Sequence, residues 1–82
     1  MEDLKEAKQK VAGMRQTVRA LENRQALAVY AARDAETKVV APVLRLCEQQ
    51  NVPVWYVDSM DQLGKACSIK VGAAVAAIIK KL

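Results

Sequence analysis

Apolar and polar residues alternate along the chain in a pattern that predicts helices and strands in turn. Residues 2–9 are predicted to form a short polar helix in which only Leu4 and Ala7 face inward. A second helix is predicted to follow Gly13 and to end near Asn23, because asparagine tolerates the left-handed conformation at a helix C-terminus.

This second helix is predicted to have two chemically different faces. Its apolar residues recur at i, i+4 and i+7 and are predicted to pack inward: Met14, Val18 and Leu21. Its basic and amide side chains are three or four residues apart and share the other face: Arg15, Gln16 and Arg19. Guanidiniums and an amide beside a helix N-terminus suit phosphates and guanine edges, and an ordinary solvated face is the alternative.

The middle of the chain predicts a strand followed by a helix. Residues 27–32 form a short apolar run rich in strand-forming residues. Residues 39–50 then place apolar side chains at helical spacing, namely Val39, Val40, Val43, Leu44, Leu46 and Cys47. Pro42 is placed early in this helix, so the helix is predicted to begin between residues 37 and 41 and to end at Asn51.

The last third predicts a strand, a helix and a further strand. Residues 54–57 form a continuous apolar run that indicates burial on both faces, with Trp55 and Tyr56 as core and strand-edge residues and not as a base-stacking platform. Residues 59–62 (SMDQ) form a capping box that opens a helix through Ala66. Residues 75–79 are predicted as a strand, and the alternation of elements predicts a parallel or mixed sheet between helices.

Composition narrows the possible functions. The 82 residues suffice for one small domain, and 52% of them are hydrophobic, as expected of a folding sequence. The formal net charge of +4 favours a polyanionic partner. There is no histidine, which removes the commonest general base and metal ligand. The N-terminus lacks a signal peptide and no apolar run is long enough to span a bilayer, so a soluble, cytoplasmic chain without a membrane partner is expected.

Three candidate motifs for catalysis or metal binding fail on inspection. Cys47 and Cys67 belong to no CxxC pair and lie in apolar surroundings, so two buried, reduced thiols are expected and no metal site. Residues 63–66 (LGKA) lack the earlier glycine and the Ser or Thr of a phosphate-binding loop. Asp34 and Glu36 have no nucleophile beside them and are better explained as charges at a helix N-terminus. We therefore expect no enzyme and no cofactor.

Four stretches together resemble the kink-turn RNA-binding family typified by the archaeal ribosomal protein L-seven-Ae, and most closely its short bacterial YbxF-like members. They are GMRQTVR (13–19), AARDAE (31–36), RLCEQQNVPVWYV (45–57) and SMDQLGKACSIKVGAAVAAII (59–79). The resemblance runs from about residue 10 to residue 79. It implies a single domain over residues 1–82, an α/β fold of the α-β-α sandwich type with a small mixed sheet flanked by helices.

The resemblance also implies an RNA site. In the family, the helix after the glycine reads tandem sheared G·A pairs, and a second loop covers nucleotides flipped out of the stack. By position, Arg15 and Arg19 would donate to guanine, Gln16 would contact a base edge, and Gly13 would meet backbone phosphate. The covering loop corresponds to Ser68, Ile69, Lys70 and Val71, and Glu36 would lie near the flipped nucleotides.

Three positions depart from the family pattern. Arg15 and Gln16 stand where archaeal members carry asparagine and glutamate, so the hydrogen bonds to the G·A pairs would differ. Ser68 replaces the usual loop glycine, which bears on the shape of the loop backbone. Lys70 adds positive charge where many relatives have an acidic or neutral residue.

Two functions therefore stand against each other. The favoured one is a non-catalytic, monomeric RNA-binding protein that recognises and stabilises kink-turns in ribosomal or regulatory RNA, with the ribosome as a further partner. The alternative is a protein-interaction module of the same fold that no longer binds kink-turn RNA, in which case the basic helix is a solvated face.

Overall fold

The structure is a computed structural model that describes residues 2–80, so Met1, Lys81 and Leu82 of the predicted domain lie outside the described residues. Within residues 2–80, helices and strands follow one another in a regular order. Their bounds are α1 (Glu2–Glu6), β1 (Lys10–Ala12), α2 (Met14–Glu22), β2 (Ala26–Ala32), α3 (Thr37–Gln50), β3 (Val54–Val57), α4 (Met60–Ala66) and β4 (Val75–Ile79).

The described strands form one mixed sheet in the order β1-β4-β2-β3. Strand β4 lies between β1 and β2 and runs antiparallel to both, whereas β3 pairs with β2 in parallel. The register pairs Val29 with Val54 and Ala77, so the centre of β2 has a bonded strand on each side. The predicted mixed sheet is therefore confirmed, and the predicted strand over residues 75–79 has the predicted bounds.

Alternate residues of the sheet face two separate cores. Val29, Ala31, Val75 and Ala77 pack against α2 and α3 in one core. The intervening residues, which include Tyr30, Ala32 and Ala76, pack against α1 and α4 in the other core. Because side chains of a strand point alternately to opposite faces, this arrangement is an α-β-α sandwich. The predicted fold class is confirmed.

The N-terminal helix is shorter than predicted and a strand follows it. Helix α1 ends at Glu6, and Leu4 is fully buried, but Ala7 lies beyond the helix and is half-buried. Strand β1 was missing from the prediction because three residues of mixed polarity carry no period-2 signal. Its backbone hydrogen bonds to β4 stabilise it, although its side chains give no sign of a strand in the sequence.

Helix α3 begins at Thr37, inside the predicted interval, and its last residue is Gln50, so Asn51 ends it as predicted. Asn51 takes the left-handed conformation, which was not predicted for it. Its buried residues are Val40, Val43 and Cys47. Val39 was predicted to face inward, but it is 40% exposed, because only the narrow i, i+3, i+7 stripe faces the sheet. Pro42 is the sixth residue of the helix and not part of its first turn, and its exposed ring faces away from the core.

Strand β3 is the last strand on its side of the sheet within residues 2–80. The prediction that it is buried on both faces is wrong, because Trp55 and Tyr56 point to opposite faces and both are exposed. Trp55 is 59% exposed and Tyr56 is 52% exposed, which excludes the core position predicted for them and leaves the strand-edge position. A continuous apolar run is ambiguous between a central strand and an edge strand that presents apolar side chains to solvent.

Helices α2, α3 and α4 end in the same backbone motif. In each, a residue with positive φ follows the helix, and the next N–H donates to a carbonyl five residues back, which is the Schellman motif. The positive-φ residues are Arg24 (56°), Asn51 (58°) and Ser68 (62°). The predicted left-handed residue of α2 was Asn23, but Asn23 has φ −87° and Arg24 takes that role.

Candidate nucleic-acid interface

Helices α2, α3 and α4 all begin at one edge of the sheet. Strands β1, β2 and β3 run in the same direction, since β4 is antiparallel to β1 and β2 and β3 is parallel to β2. Their carboxyl ends therefore lie at one edge, and a helix begins soon after each of them. The first turn of a helix carries N–H groups without intrahelical acceptors and the positive end of the helix dipole. The backbone alone makes this edge attractive to anions.

Gly13 joins β1 to α2 at this edge. Its φ of 94° and ψ of 160° lie in a region that side-chain-bearing residues rarely adopt. An added Cβ would meet nothing within 4 Å, so conformation, and not space, requires glycine here. The Gly13 N–H donates to the Val75 carbonyl oxygen at 2.8 Å, which fixes the start of α2 against the start of β4.

No side chain caps the N-terminus of α2. Arg15, Gln16 and Arg19 are exposed on this helix, as predicted. Among the described residues the structure records no ion pair for either arginine. Two unpaired guanidiniums therefore reinforce the positive charge of the uncapped helix start.

A shallow groove of about 500 Å³ runs beside these arginines. Met14 and Val18 line it together with Arg15, Arg19 and Glu22. Both apolar side chains were predicted to lie opposite the arginines, but they are half-buried and share the groove with them. The arginines thus stand next to an apolar strip that a flat, apolar surface can contact.

The buried face of α2 consists of Thr17, Ala20 and Leu21. Leu21 was predicted, whereas Thr17 and Ala20 were not, because a hydroxyl and a single methyl give no hydrophobic signal. Within the described part of the chain, the Thr17 hydroxyl is buried without a hydrogen-bond partner. These residues anchor α2 on the sheet, so its outer face is free to make contacts.

The loop between α4 and β4 contains the second set of candidate residues. Ser68 begins it in the left-handed conformation, and its N–H donates to Lys65 O at 3.0 Å, while the Ile69 N–H donates to Gly64 O at 3.0 Å. Ile69 and Val71 are 37% and 71% exposed, and Lys70 is also exposed. Ser68 therefore adopts a backbone conformation that glycine would favour.

Close backbone contacts hold this loop in place. A Cβ added to Gly64 would lie 2.1 Å from the carbonyl oxygen of Val71, so the loop runs directly against α4. The Ala73 N–H donates to Met60 O at 3.0 Å, and the Ala32 N–H donates to Ala74 O at 2.9 Å. The loop is thus fixed to both α4 and the end of β2.

The turn between β2 and α3 lies beside this loop. Glu36 is the exposed N-cap residue of α3 and makes no side-chain capping bond. The Met60 N–H donates to Asp34 Oδ1 at 2.8 Å, so Asp34 stabilises the start of α4, which is not the helix that follows it in the chain. The predicted position of Asp34 at a helix N-terminus is confirmed, and this contact links the turn to the base of the loop.

The comparisons with known proteins agree with this arrangement. Residues 1–81 match the model of the Ribosomal protein L7Ae/L30e/S12e/Gadd45 family. The chain belongs to this family.

Proteins similar to this chain carry names that refer to RNA. An RNA-binding protein of Geobacillus sp. strain WCH70 is 48% identical over 79 residues, which cover 96% of each chain. The RNA-binding protein YbxF of Geobacillus stearothermophilus is 47% identical over 70 residues, which cover 85% of each chain. The Giardia lamblia 15.5kD RNA binding protein superposes with a TM-score of 0.81 at 28% identity, covering 89% of this chain and 62% of that one.

One residue of this L7Ae-family chain has a positioning role that the sequence did not reveal. The Lys10 ammonium donates to Leu4 O and Lys5 O at 3.1 Å and to Ala66 O at 3.3 Å. It therefore joins the last turn of α1 to the end of α4, where the loop that begins at Ser68 follows. A lysine in a strand of three residues carries no sequence signal for this role.

The two cysteines of this L7Ae-family chain differ in exposure. Cys47 is fully buried as predicted, but Cys67 is only half-buried because it lies at the end of α4. Burial raises the pKa of both thiols, and at Cys67 the nearby Lys10 ammonium partly opposes the rise. The described residues contain no cluster of three or more His, Cys, Asp or Glu side chains that could hold a metal ion. In the described part of the chain, no helix has the length and apolarity to cross a membrane.

Proposed function

We propose that this L7Ae-family chain is a non-catalytic RNA-binding protein that recognises and stabilises kink-turns in ribosomal or regulatory RNA. The observation that carries the proposal is the outer face of α2, where exposed arginines that make no ion pair with any described residue flank an uncapped helix start. The RNA-binding names of the relatives that align over most of the chain support the same class of partner.

The proposed mode of binding divides the site into two parts. Helix α2 enters the widened groove of the kinked duplex, where Arg15 and Arg19 donate to guanine acceptors and Gln16 contacts a neighbouring base edge. Gly13 and the free N–H groups of the first helical turn meet backbone phosphate. Arginine suits this role because its planar fork can donate two parallel hydrogen bonds to one guanine.

The loop of Ser68, Ile69, Lys70 and Val71 covers the nucleotides that a kink-turn flips out of the stack. Its exposed Ile69 and Val71 side chains offer apolar contact to the bases, and the Lys70 ammonium offers a point charge to phosphate. Glu36 faces the same nucleotides from the start of α3. Because the loop is held against α4 and β2, it is preorganised and loses little entropy on binding.

A pair of RNAs tests the proposed function. One contains a kink-turn, and the other is the same duplex with Watson–Crick pairs in place of the tandem G·A pairs. We expect tighter binding to the kink-turn, and donor and acceptor dyes on its two arms should approach when protein is added, because the protein shifts the population towards the kinked form. Equal affinity for both RNAs, or no change in energy transfer on binding, would contradict the proposal.

Arg19→Ala tests the assignment of the site. The substitution should weaken kink-turn binding by ~1–3 kcal/mol, the range of one lost guanine contact. Arg45→Ala is the matched control, because Arg45 is exposed on α3 outside the interface described above. If neither variant changes the affinity for the kink-turn, Arg19 is not part of the RNA site and the assignment of that site to the outer face of α2 is wrong.

A further inference from the structure

The free edge of β3 has unpaired backbone groups. The Val29 N–H donates to Pro53 O at 3.0 Å and the Arg33 N–H donates to Val57 O at 2.8 Å, so residues 53, 55 and 57 bond to β2. Because successive residues of a strand direct their N–H and C=O groups to opposite sides, those of Val54 and Tyr56 point away from the sheet. Within residues 2–80 no strand pairs with this side.

A cavity of about 350 Å³ adjoins this edge on the α1 and α4 side of the sheet. We call it the β3 groove. Its apolar walls include Trp55, Tyr30 and Val57, and its polar lining includes Asp3, Asp58 and Gln62. Trp55 is 59% exposed, an unusual exposure for so large an apolar side chain.

The charge of the groove is opposite to that of the chain. The chain carries a net charge of +4, yet among the residues that the structure describes, those that line the groove with a charged side chain are Asp3 and Asp58. Burial and the nearby Asp3 carboxylate raise the pKa of Tyr30, so the Tyr30 hydroxyl stays neutral beside them. Arg33 lies 3.8 Å from Asp58, and its guanidinium is 5.6 Å from the centre of the Tyr56 ring at the rim of the groove. Both partners of this ion pair are largely exposed, so the pair is weak and a cation of a partner can compete for Asp58.

Aromatic rings combined with carboxylates suit a cationic side chain. A guanidinium or ammonium is attracted to the face of an indole ring and forms a hydrogen-bonded pair with a carboxylate. The same carboxylates repel phosphate, so the exposed Trp55 is poorly suited to stack on the bases of an RNA. An extended segment that adds to β3 would place alternate side chains above the groove.

We propose that the β3 edge and the β3 groove bind an extended, basic peptide segment of a partner protein by strand addition. The peptide backbone pairs with the free groups of Val54 and Tyr56. One arginine or lysine of the peptide enters the β3 groove, where it contacts Trp55 and the carboxylates of Asp3 and Asp58. The groove shares no lining residue with the outer face of α2 or with the loop of Ser68, Ile69, Lys70 and Val71, so the inference does not depend on the proposed RNA function.

Fluorescence anisotropy of a labelled synthetic peptide tests the inference. The probe is a short capped peptide of alternating valine and threonine with a central arginine. Comparison peptides carry citrulline or glutamate at the centre, and another carries N-methyl groups on the backbone amides. Citrulline keeps the shape of arginine without its charge, and N-methylation removes the strand hydrogen bonds. The chain has a single tryptophan, so Trp55 emission is an independent report from the groove itself.

We expect saturable binding of the arginine peptide with a Kd of roughly 0.1–1 mM, typical of a small, transient contact. The citrulline, glutamate and N-methylated peptides should each bind about tenfold more weakly, since each lacks one of the proposed attractions. Trp55→Ala and Asp58→Asn should also weaken binding about tenfold. Asp61→Asn is the matched control, because Asp61 is also a largely exposed carboxylate and does not line the groove.

Three results with the peptides would overturn the inference: no saturable binding, equal affinity for the arginine and citrulline peptides, or normal binding of the N-methylated peptide. An equal loss of binding in the protein variants Asp61→Asn and Asp58→Asn would also overturn it. Quenching of Trp55 by RNA, or self-association that Trp55→Ala abolishes, would assign the surface to another occupant and also overturn it. Arg19→Ala should bind the peptide normally, so failure of this inference and failure of the RNA proposal are distinguishable.

Discussion

Gly64→Ala provides a test in which helix propensity predicts a gain in the free energy of unfolding and packing predicts a loss. Gly64 lies inside α4, where alanine would be preferred over glycine by about 1 kcal/mol on propensity alone. The structure instead places the Val71 carbonyl oxygen 2.1 Å from the position of the added Cβ, and the Val71 carbonyl carbon 3.0 Å from it. The neighbour in the way is backbone, which cannot rotate aside as a flexible side chain could.

The size of the effect follows from this overlap. The oxygen has to move by roughly 1 Å, and the loop that it belongs to is tied to α4 and to β2 by the hydrogen bonds of Ala73 and Ala74. Inserting a methyl group into such a contact costs ~1–3 kcal/mol, and the clash with backbone puts Gly64→Ala at the upper end. After the propensity gain, we expect a net loss of about 2 kcal/mol, which lowers Tm by roughly 10 °C for a domain of this size.

Urea denaturation followed by circular dichroism measures this change directly. Lys65→Ala is the control, because Lys65 is the exposed neighbour in the same helix and its ion pair with Asp61 is solvent-exposed, so its loss should cost less than about 0.5 kcal/mol. If Gly64→Ala were as stable as the unaltered chain or more stable, the packing of the loop against α4 would be wrong. The variant should also weaken kink-turn RNA binding, since the loop has moved.

Three further predictions concern the loop, the site and the thiols. Lys70→Glu should weaken kink-turn and plain-duplex binding by similar factors, and it should flatten the slope of log K against log salt concentration by about one unit. Arg15→Ala should mainly reduce kink-turn binding, and titrations of both RNAs at several salt concentrations measure both effects. Ser68→Gly should raise the free energy of unfolding by about 0.5–1 kcal/mol in urea denaturation, because it removes the strain of a left-handed serine. Raised pKa values keep the thiols of Cys47 and Cys67 protonated to higher pH, so alkylation of the native chain near neutral pH, followed by mass spectrometry, should be slow, speed up with pH, and reach Cys67 first.

Each of these predictions has an outcome that contradicts it. Selective loss of kink-turn binding in Lys70→Glu would mean that the loop reads bases and does not simply attract phosphate. A less stable Ser68→Gly would show that the serine side chain contributes more than its backbone strain costs. Faster alkylation of Cys47 than of Cys67 would mean that α3 opens more readily than the end of α4.

The sequence predicted those elements whose patterns depend on local chemistry. Ser59 caps α4 by accepting from the Gln62 N–H at 3.1 Å, as the capping box indicates, and Asn51 ends α3 as predicted. Gly13 marks the start of α2 because its backbone needs a conformation that few other residues adopt. The exposed basic face of α2 follows from spacing alone.

Features that depend on distant partners could not be predicted in this way. Strand β1 exists because β4 pairs with it, and β3 lies at the edge of the described sheet because no other described strand pairs with its outer side. The roles of Lys10 and Asp34 depend on contacts with α4, which is 56 residues away from Lys10 and 26 away from Asp34 in the chain. No local pattern encodes a contact over such separations.

The central place of β4 in the sheet has a consequence for synthesis on the ribosome. Strand β4 comes last among the described elements, yet it lies between β1 and β2 and accepts the Gly13 hydrogen bond. A nascent chain therefore cannot join β1 to the rest of the sheet, or fix the start of α2, until residues 75–79 have left the exit tunnel. Such long-range pairing slows folding. Incomplete translation products should consequently lack the edge of the sheet at which α2, α3 and α4 begin. They should not compete with finished molecules for the target that this edge binds.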